Sequence, residues 1–122
     1  MQDDTIAWWA TQPAAAQQEA FGEDDRIPLA QALGELGRLI WHSKRFWAHG
    51  PTFDANILEH AYKEANMALP WRFYMVRDSR TVYSLVPALA KYPASHHTLE
   101  DCRRQILLLW DALECLKIRE LA

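Results

Sequence analysis

Apolar residues recur along most of this chain at three- and four-residue intervals, the spacing of a helix face. Leu29, Ala32, Leu33, Leu36, Leu39 and Ile40 keep that spacing behind Pro28, which stands where proline opens a helix. Ile57, Leu58, Ala61, Tyr62 and Ala65 make a second stripe. Leu99, Cys102, Ile106, Leu109, Trp110, Leu113 and Leu116 make a third, which predicts the longest helix over 99–121 with those residues facing inward. At the start, Asp3, Asp4 and Thr5 are capping residues ahead of an apolar run over 6–10, and Pro13 begins a second helical piece reaching Phe21. Residues 22–25 read as a polar loop. Residues 79–92 look helical, with Pro87 ending or kinking the run.

Two segments read as strands. Residues 45–49 are a short apolar run closed by Gly50 and Pro51, and residues 72–76 follow the break at Pro70. Helical segments precede the first strand, separate the two strands and follow the second, which is an α/β pattern. Two strands are too few to cover this many amphipathic helices, so the sheet is expected to be a reduced one.

Composition narrows the class. A length of 122 residues fits one domain. Six tryptophans imply a substantial core or a surface that meets a partner. Trp8 and Trp9 are read as core or interface residues, with base stacking as the alternative. A net charge of −3 argues against attachment to nucleic acid through overall basicity. It leaves a nuclease open, because carboxylates that hold divalent ions make an active site acidic. Two cysteines, Cys102 and Cys115, are too few for a disulfide framework and are read as buried free thiols. The N-terminus lacks the basic-then-apolar pattern of a signal peptide, and the apolar run 106–110 is too short to span a bilayer. The expectation is a cytoplasmic protein without a membrane partner.

Three short motifs carry candidate chemistry. His49-Gly50-Pro51-Thr52-Phe53-Asp54 places a carboxylate where a strand hands over to a helix. Arg77-Asp78-Ser79-Arg80-Thr81 follows the second strand segment. His96-His97-Thr98-Leu99-Glu100-Asp101 sets a histidine five positions before an aspartate at a helix start. Each has a structural alternative. Thr98 and Asp101 have capping-box spacing, and Asp54 fits the favoured charge of a helix first turn. Arg77 and Arg80 either contact phosphates or pair with Asp78 or Glu100. His42, His49 and His60 read as ordinary surface or strand-end residues, and His97 as solvated or capping.

In order and spacing these motifs resemble the DEDDh 3'-5' exonucleases of the RNase H-like fold, and within them the small bacterial and phage branch of single-domain exoribonucleases. Asp54 matches the Phe-Asp motif behind a strand, and His96 with Asp101 matches the final His, four residues, Asp motif. Residues 5–9 followed by Gln12, and the run 77–81, look like the same branch. The resemblance runs from about Thr5 to about Gln105. It implies two-metal hydrolysis of phosphodiester bonds in single-stranded or overhanging RNA or DNA with Mg2+ or Mn2+. By the same resemblance Asp54 and Asp101 are metal ligands, His96 is the general base, and Arg77 and Arg80 touch substrate. The family's first motif, Asp-x-Glu, occurs nowhere in the chain. That departure implies an incomplete RNase H-like domain over 1–122, shortened at its N-terminus, with little activity of its own. The alternative it leaves is a non-catalytic remnant that binds a partner or forms a homo-oligomer through the open sheet edge.

Overall fold

A computed structural model of the protein describes residues 3–89 and 97–121. The described elements are α1 (Asp3–Ala10), α2 (Ala14–Phe21), α3 (Leu29–Trp41), β1 (Phe46–Ala48), α4 (Pro51–Glu64), β2 (Val76–Asp78), α5 (Ser79–Ser84) and α6 (Thr98–Cys115). The chain is α/β and mostly helical. β1 and β2 form a two-stranded parallel sheet with Phe46 opposite Val76, Trp47 opposite Arg77 and Ala48 opposite Asp78. Parallel neighbours need a crossover, and α4 provides it, packing on both strands.

The core lies where α3 and α4 meet the sheet. Leu33, Ile40, Tyr62 and Trp71 are buried there, with Leu36, Phe46, Leu58, Met67 and Val76 packed around them. Tyr62, 1% exposed, donates its hydroxyl to the Leu33 carbonyl at 2.6 Å, which ties α4 to α3. Its ring meets Trp71 edge-on at 5.7 Å, and Trp71 meets Phe46 at 4.9 Å. These contacts set the depth and tilt of β1. Two helices end by the same device: Asn66 (φ 52°) and Lys117 (φ 56°) adopt left-handed backbone just past α4 and α6. The following N–H groups of Met67 and Ile118 then return to the carbonyls of Tyr62 and Leu113, both at 2.9 Å.

Several expectations need correction. The second strand is not 72–76: Phe73–Met75 is a 3-10 turn and the strand is Val76–Asp78. Trp71 anchors in the core, the chain turns over Phe73 (88% exposed), and pairing with β1 begins only at Val76. Strand propensity alone misplaced it, because Phe73 and Tyr74 face solvent. The helix expected over 79–92 is shorter: it stops at Ser84, ahead of the Pro87 expected to end or kink it, and residues 90–92 lie outside the described residues. Proline disfavours helical backbone in the residue before it, and this helix ends ahead of that point. In α6, Leu99, Cys102, Ile106 and Trp110 are exposed, while Ala112 is fully buried and Leu108, Leu109, Leu113 and Leu116 are half-buried. The run 106–110 is apolar all round, so periodicity does not choose its face. Both cysteines are exposed, contrary to the buried thiols expected. Leu29 and Leu39, counted in the α3 stripe, are exposed too.

Candidate active site

Two parallel strands put their C-terminal ends side by side, and in open α/β sheets ligands bind beyond those ends. Here the chain leaves β1 through His49 and Gly50 into α4, and leaves β2 through Asp78 directly into α5. Gly50 has φ +95°, a conformation that favours glycine, and this turns the chain sharply into Pro51 at the head of α4. A side chain at position 50 would also meet Arg80, whose guanidinium lies 3.3–3.4 Å from where its Cβ would be.

Ser79 fastens the two strand ends together. It is buried, and its hydroxyl lies 3.2 Å from the Ala48 carbonyl and 3.3 Å from Nδ1 of His49. His49 in turn lies against the Tyr83 ring at 5.7 Å, and the Tyr83 hydroxyl donates to the Gln105 carbonyl at 2.9 Å, reaching α6. Asp78 caps α5: its carboxylate accepts the Arg80 N–H and the Thr81 hydroxyl, both at 3.0 Å. Burial, and then the neighbouring Arg80 guanidinium, hold the His49 imidazole below its ordinary pKa; the Asp78 and Asp54 carboxylates pull it upward. Burial raises the Tyr83 phenol, offset in part by the Ser79 hydroxyl.

The structure brings some of the candidate residues together and leaves others apart. Asp54 stands exposed in the first turn of α4, near enough to His49 to act on its charge. The Arg80 guanidinium likewise acts on His49 and lies against Gly50. Arg77 does fasten the strand, but onto carbonyls rather than onto Asp78 or Glu100: its guanidinium donates to Tyr74 and, at 3.0 Å, to Val76. Glu100 pairs with Arg103 instead, at 2.8 Å. Asp101 is half-buried in the first turn of α6, 3.8 Å from Arg104. The capping box expected around it does not form. His97 holds the N-cap position and Thr98 lies inside the helix, while the Asp101 N–H bonds to the His97 carbonyl at 2.9 Å. His97 meets Glu19 of α2 at 3.3 Å. His96, the candidate base, lies outside the described residues.

Sequence reasoning passed over His49 and Ser79. Nothing in their spacing marks them, because what joins them is the β1–β2 register across 30 positions. Each sits one residue beyond an observed strand, Phe46–Ala48 and Val76–Asp78, whereas the segments read from the sequence, 45–49 and 72–76, hid that placement.

A pair of divalent ions requires oxygen donors gathered in one place. Asp54 and Asp101 are hard oxygen donors of the right type, but they stand on separate helices. Among the described residues no group of three or more His, Cys, Asp or Glu side chains gathers as a ligand set. Two such ions about 4 Å apart need a shared set of carboxylates, so these side chains do not fit a two-ion centre by themselves.

The family model of the 3'-5' exoribonuclease Rv2179c-like domain matches residues 1–114. The chain belongs to that family. Comparison with curated proteins and with solved structures finds no match. Membership in an exoribonuclease family gives the cluster beyond β1 and β2 its context: a polar, partly buried group of residues at the strand ends, in a chain of a lineage that acts on RNA 3' ends. Among the described residues no helix is long and apolar enough to cross a membrane.

Proposed function

We propose that this chain holds the 3' end of a single-stranded nucleic acid, RNA in the first instance, at a DEDDh-type exonuclease site built on an incomplete RNase H-like sheet. The observation that carries the reading is the convergence of His49, Asp54, Asp78, Ser79 and Arg80 beyond the C-terminal ends of two parallel strands, in a chain of an exoribonuclease family. Arg80 supplies a fork of donors suited to phosphate oxygens, whereas Arg77 is committed to backbone carbonyls. Asp54 and Asp101 keep the roles of metal-facing carboxylates, and His96 that of base toward water, by family resemblance. Were the missing ligands supplied, a divalent ion held in part by Asp54 and Asp101 would offer a more acidic bound water and charge neutralisation at the phosphodiester.

Because the ligand set is too small for an ion pair, these residues alone are expected to bind a strand with little turnover. A labelled single-stranded RNA incubated with the protein and Mn2+ tests this. Retention of the strand with background cleavage is the expected outcome. Rapid shortening from the 3' end, lost in Asp101→Ala, would show that the site is complete after all. Failure to retain any strand at low salt would remove the binding function.

A second reading, self-association, is favoured by the exposure of Trp110 and Ile106, both 66%, and by a sheet that has two strands among the described residues. Light scattering that finds a monomer at all concentrations argues against it.

A further inference from the structure

We propose that His49 reads the sugar of the bound strand: its Nε2 accepts a hydrogen bond from a ribose hydroxyl at the 3' end, while Arg80 beside it takes the adjoining phosphate. This rests on the strand-binding function above and adds which part of the nucleotide is recognised, and by which atom.

The tautomer of His49 follows from its neighbour. The Ser79 hydroxyl donates to the Ala48 carbonyl, so its oxygen presents lone pairs toward Nδ1, and Nδ1 carries the proton. Nε2 of the neutral ring is then an acceptor, and among the described residues it has no hydrogen-bond partner. The ring is half-buried and held in place from two sides. Ser79 fixes one nitrogen, Tyr83 backs the ring, and Tyr83 is itself tied to α6 through Gln105. An acceptor fixed this firmly by its surroundings is a recognition element rather than a loose surface side chain.

The chemistry of the ligand follows from that acceptor. Phosphate diester oxygens only accept, so they cannot satisfy Nε2; a donor is needed. Burial and the Arg80 guanidinium, which together keep the ring neutral, support the same assignment. In a nucleotide the hydroxyl donors of the ribose lie next to the phosphate. A site pairing a neutral imidazole with a guanidinium therefore matches a ribose-phosphate unit. Gly50 leaves room for the pair, since a Cβ there would lie 3.3–3.4 Å from the Arg80 guanidinium, tight enough to shift it slightly. The 2'-hydroxyl is also the group that separates RNA from DNA, so His49 becomes a residue that sets that preference.

The test compares binding in EDTA, by fluorescence anisotropy, of one RNA oligonucleotide and two relatives altered only at the last sugar, one 2'-deoxy and one 3'-deoxy. The wild-type protein is expected to bind the unmodified strand roughly five- to tenfold tighter than one of the two, the size of one lost hydrogen bond. The relative that weakens identifies the hydroxyl read. In His49→Phe, which keeps a ring against Tyr83 but has no acceptor, that preference between the strands is expected to vanish. Ser79→Ala, which releases the tautomer and retains the histidine, is expected to reduce the preference part-way. Circular dichroism and a melting curve establish that each variant is folded. Equal binding of all three strands by the wild type overturns the proposal and leaves strand binding standing. A preference that persists in folded His49→Phe overturns it too. No binding of any strand by the wild type overturns both this proposal and the function beneath it.

Discussion

Removing one oxygen from Ser79 should loosen the junction on which the whole site depends. Ser79 is 3% exposed and bridges the ends of β1 and β2 through the Ala48 carbonyl and His49 Nδ1. In Ser79→Ala both interactions go, and the methyl group that remains cannot satisfy either partner. A neutral hydrogen bond contributes about 0.5–1.5 kcal/mol net, so two give a loss of about 1–3 kcal/mol. A domain of this size has a total stability of about 5–15 kcal/mol, which makes the loss readily measured. In urea, with a slope of about 1–3 kcal/mol/M, the midpoint should fall by about 1 M with the slope unchanged. Ser84→Ala is the control. Ser84 lies in the same helix and donates to the Thr81 carbonyl at 2.7 Å, but it is exposed, so water replaces what is lost. Its expected cost is under about 0.5 kcal/mol. Equal midpoints for the two variants would refute the clamp, whatever the absolute values.

Two further outcomes follow from the same corner of the molecule. Gly50→Ala forces a side chain onto left-handed backbone and against the Arg80 guanidinium; a loss of about 1–2 kcal/mol is expected by thermal melting, together with weaker strand binding. His49, whose pKa is lowered by burial and Arg80, makes stability depend on pH: the unfolded chain takes up the proton first as pH falls through 6.5, so unfolding becomes easier from there down to the folded-state pKa and then levels off. Melting temperatures of the wild type measured from pH 7.5 to pH 5 should fall more steeply than those of His49→Phe, and parallel curves would exclude the histidine as the source.

Helices were legible in the sequence wherever a stripe and a stop signal agreed. Pro28 and the spacing of Leu33, Leu36 and Ile40 fixed α3, and the break at Gly50 and Pro51 marked where β1 ends and α4 follows. The faces of α6 were not legible. Five consecutive apolar residues give no preferred side, and what decides is its rest against α5, a tertiary fact. The end of β2 was misjudged for a related reason. The register with β1, not the aromatic run, selects Val76–Asp78, and Asp78, a poor strand former, belongs there because it caps the next helix. The site was half visible. Asp54 and Arg80 stood out by motif, whereas the His49–Ser79 contact exists only once the strands are paired.

The same pairing gives the protein a reporter that requires no label. His49 and Ser79 are 30 positions apart, so no unfolded or partly extended chain presents their junction. A ligand seated there recognises the native chain alone and must raise its melting temperature by mass action. At a concentration one hundred times its dissociation constant the gain is about 2.7 kcal/mol. A panel of nucleotides, oligonucleotides and metal ions can therefore be ranked by heat alone, before any reaction is sought.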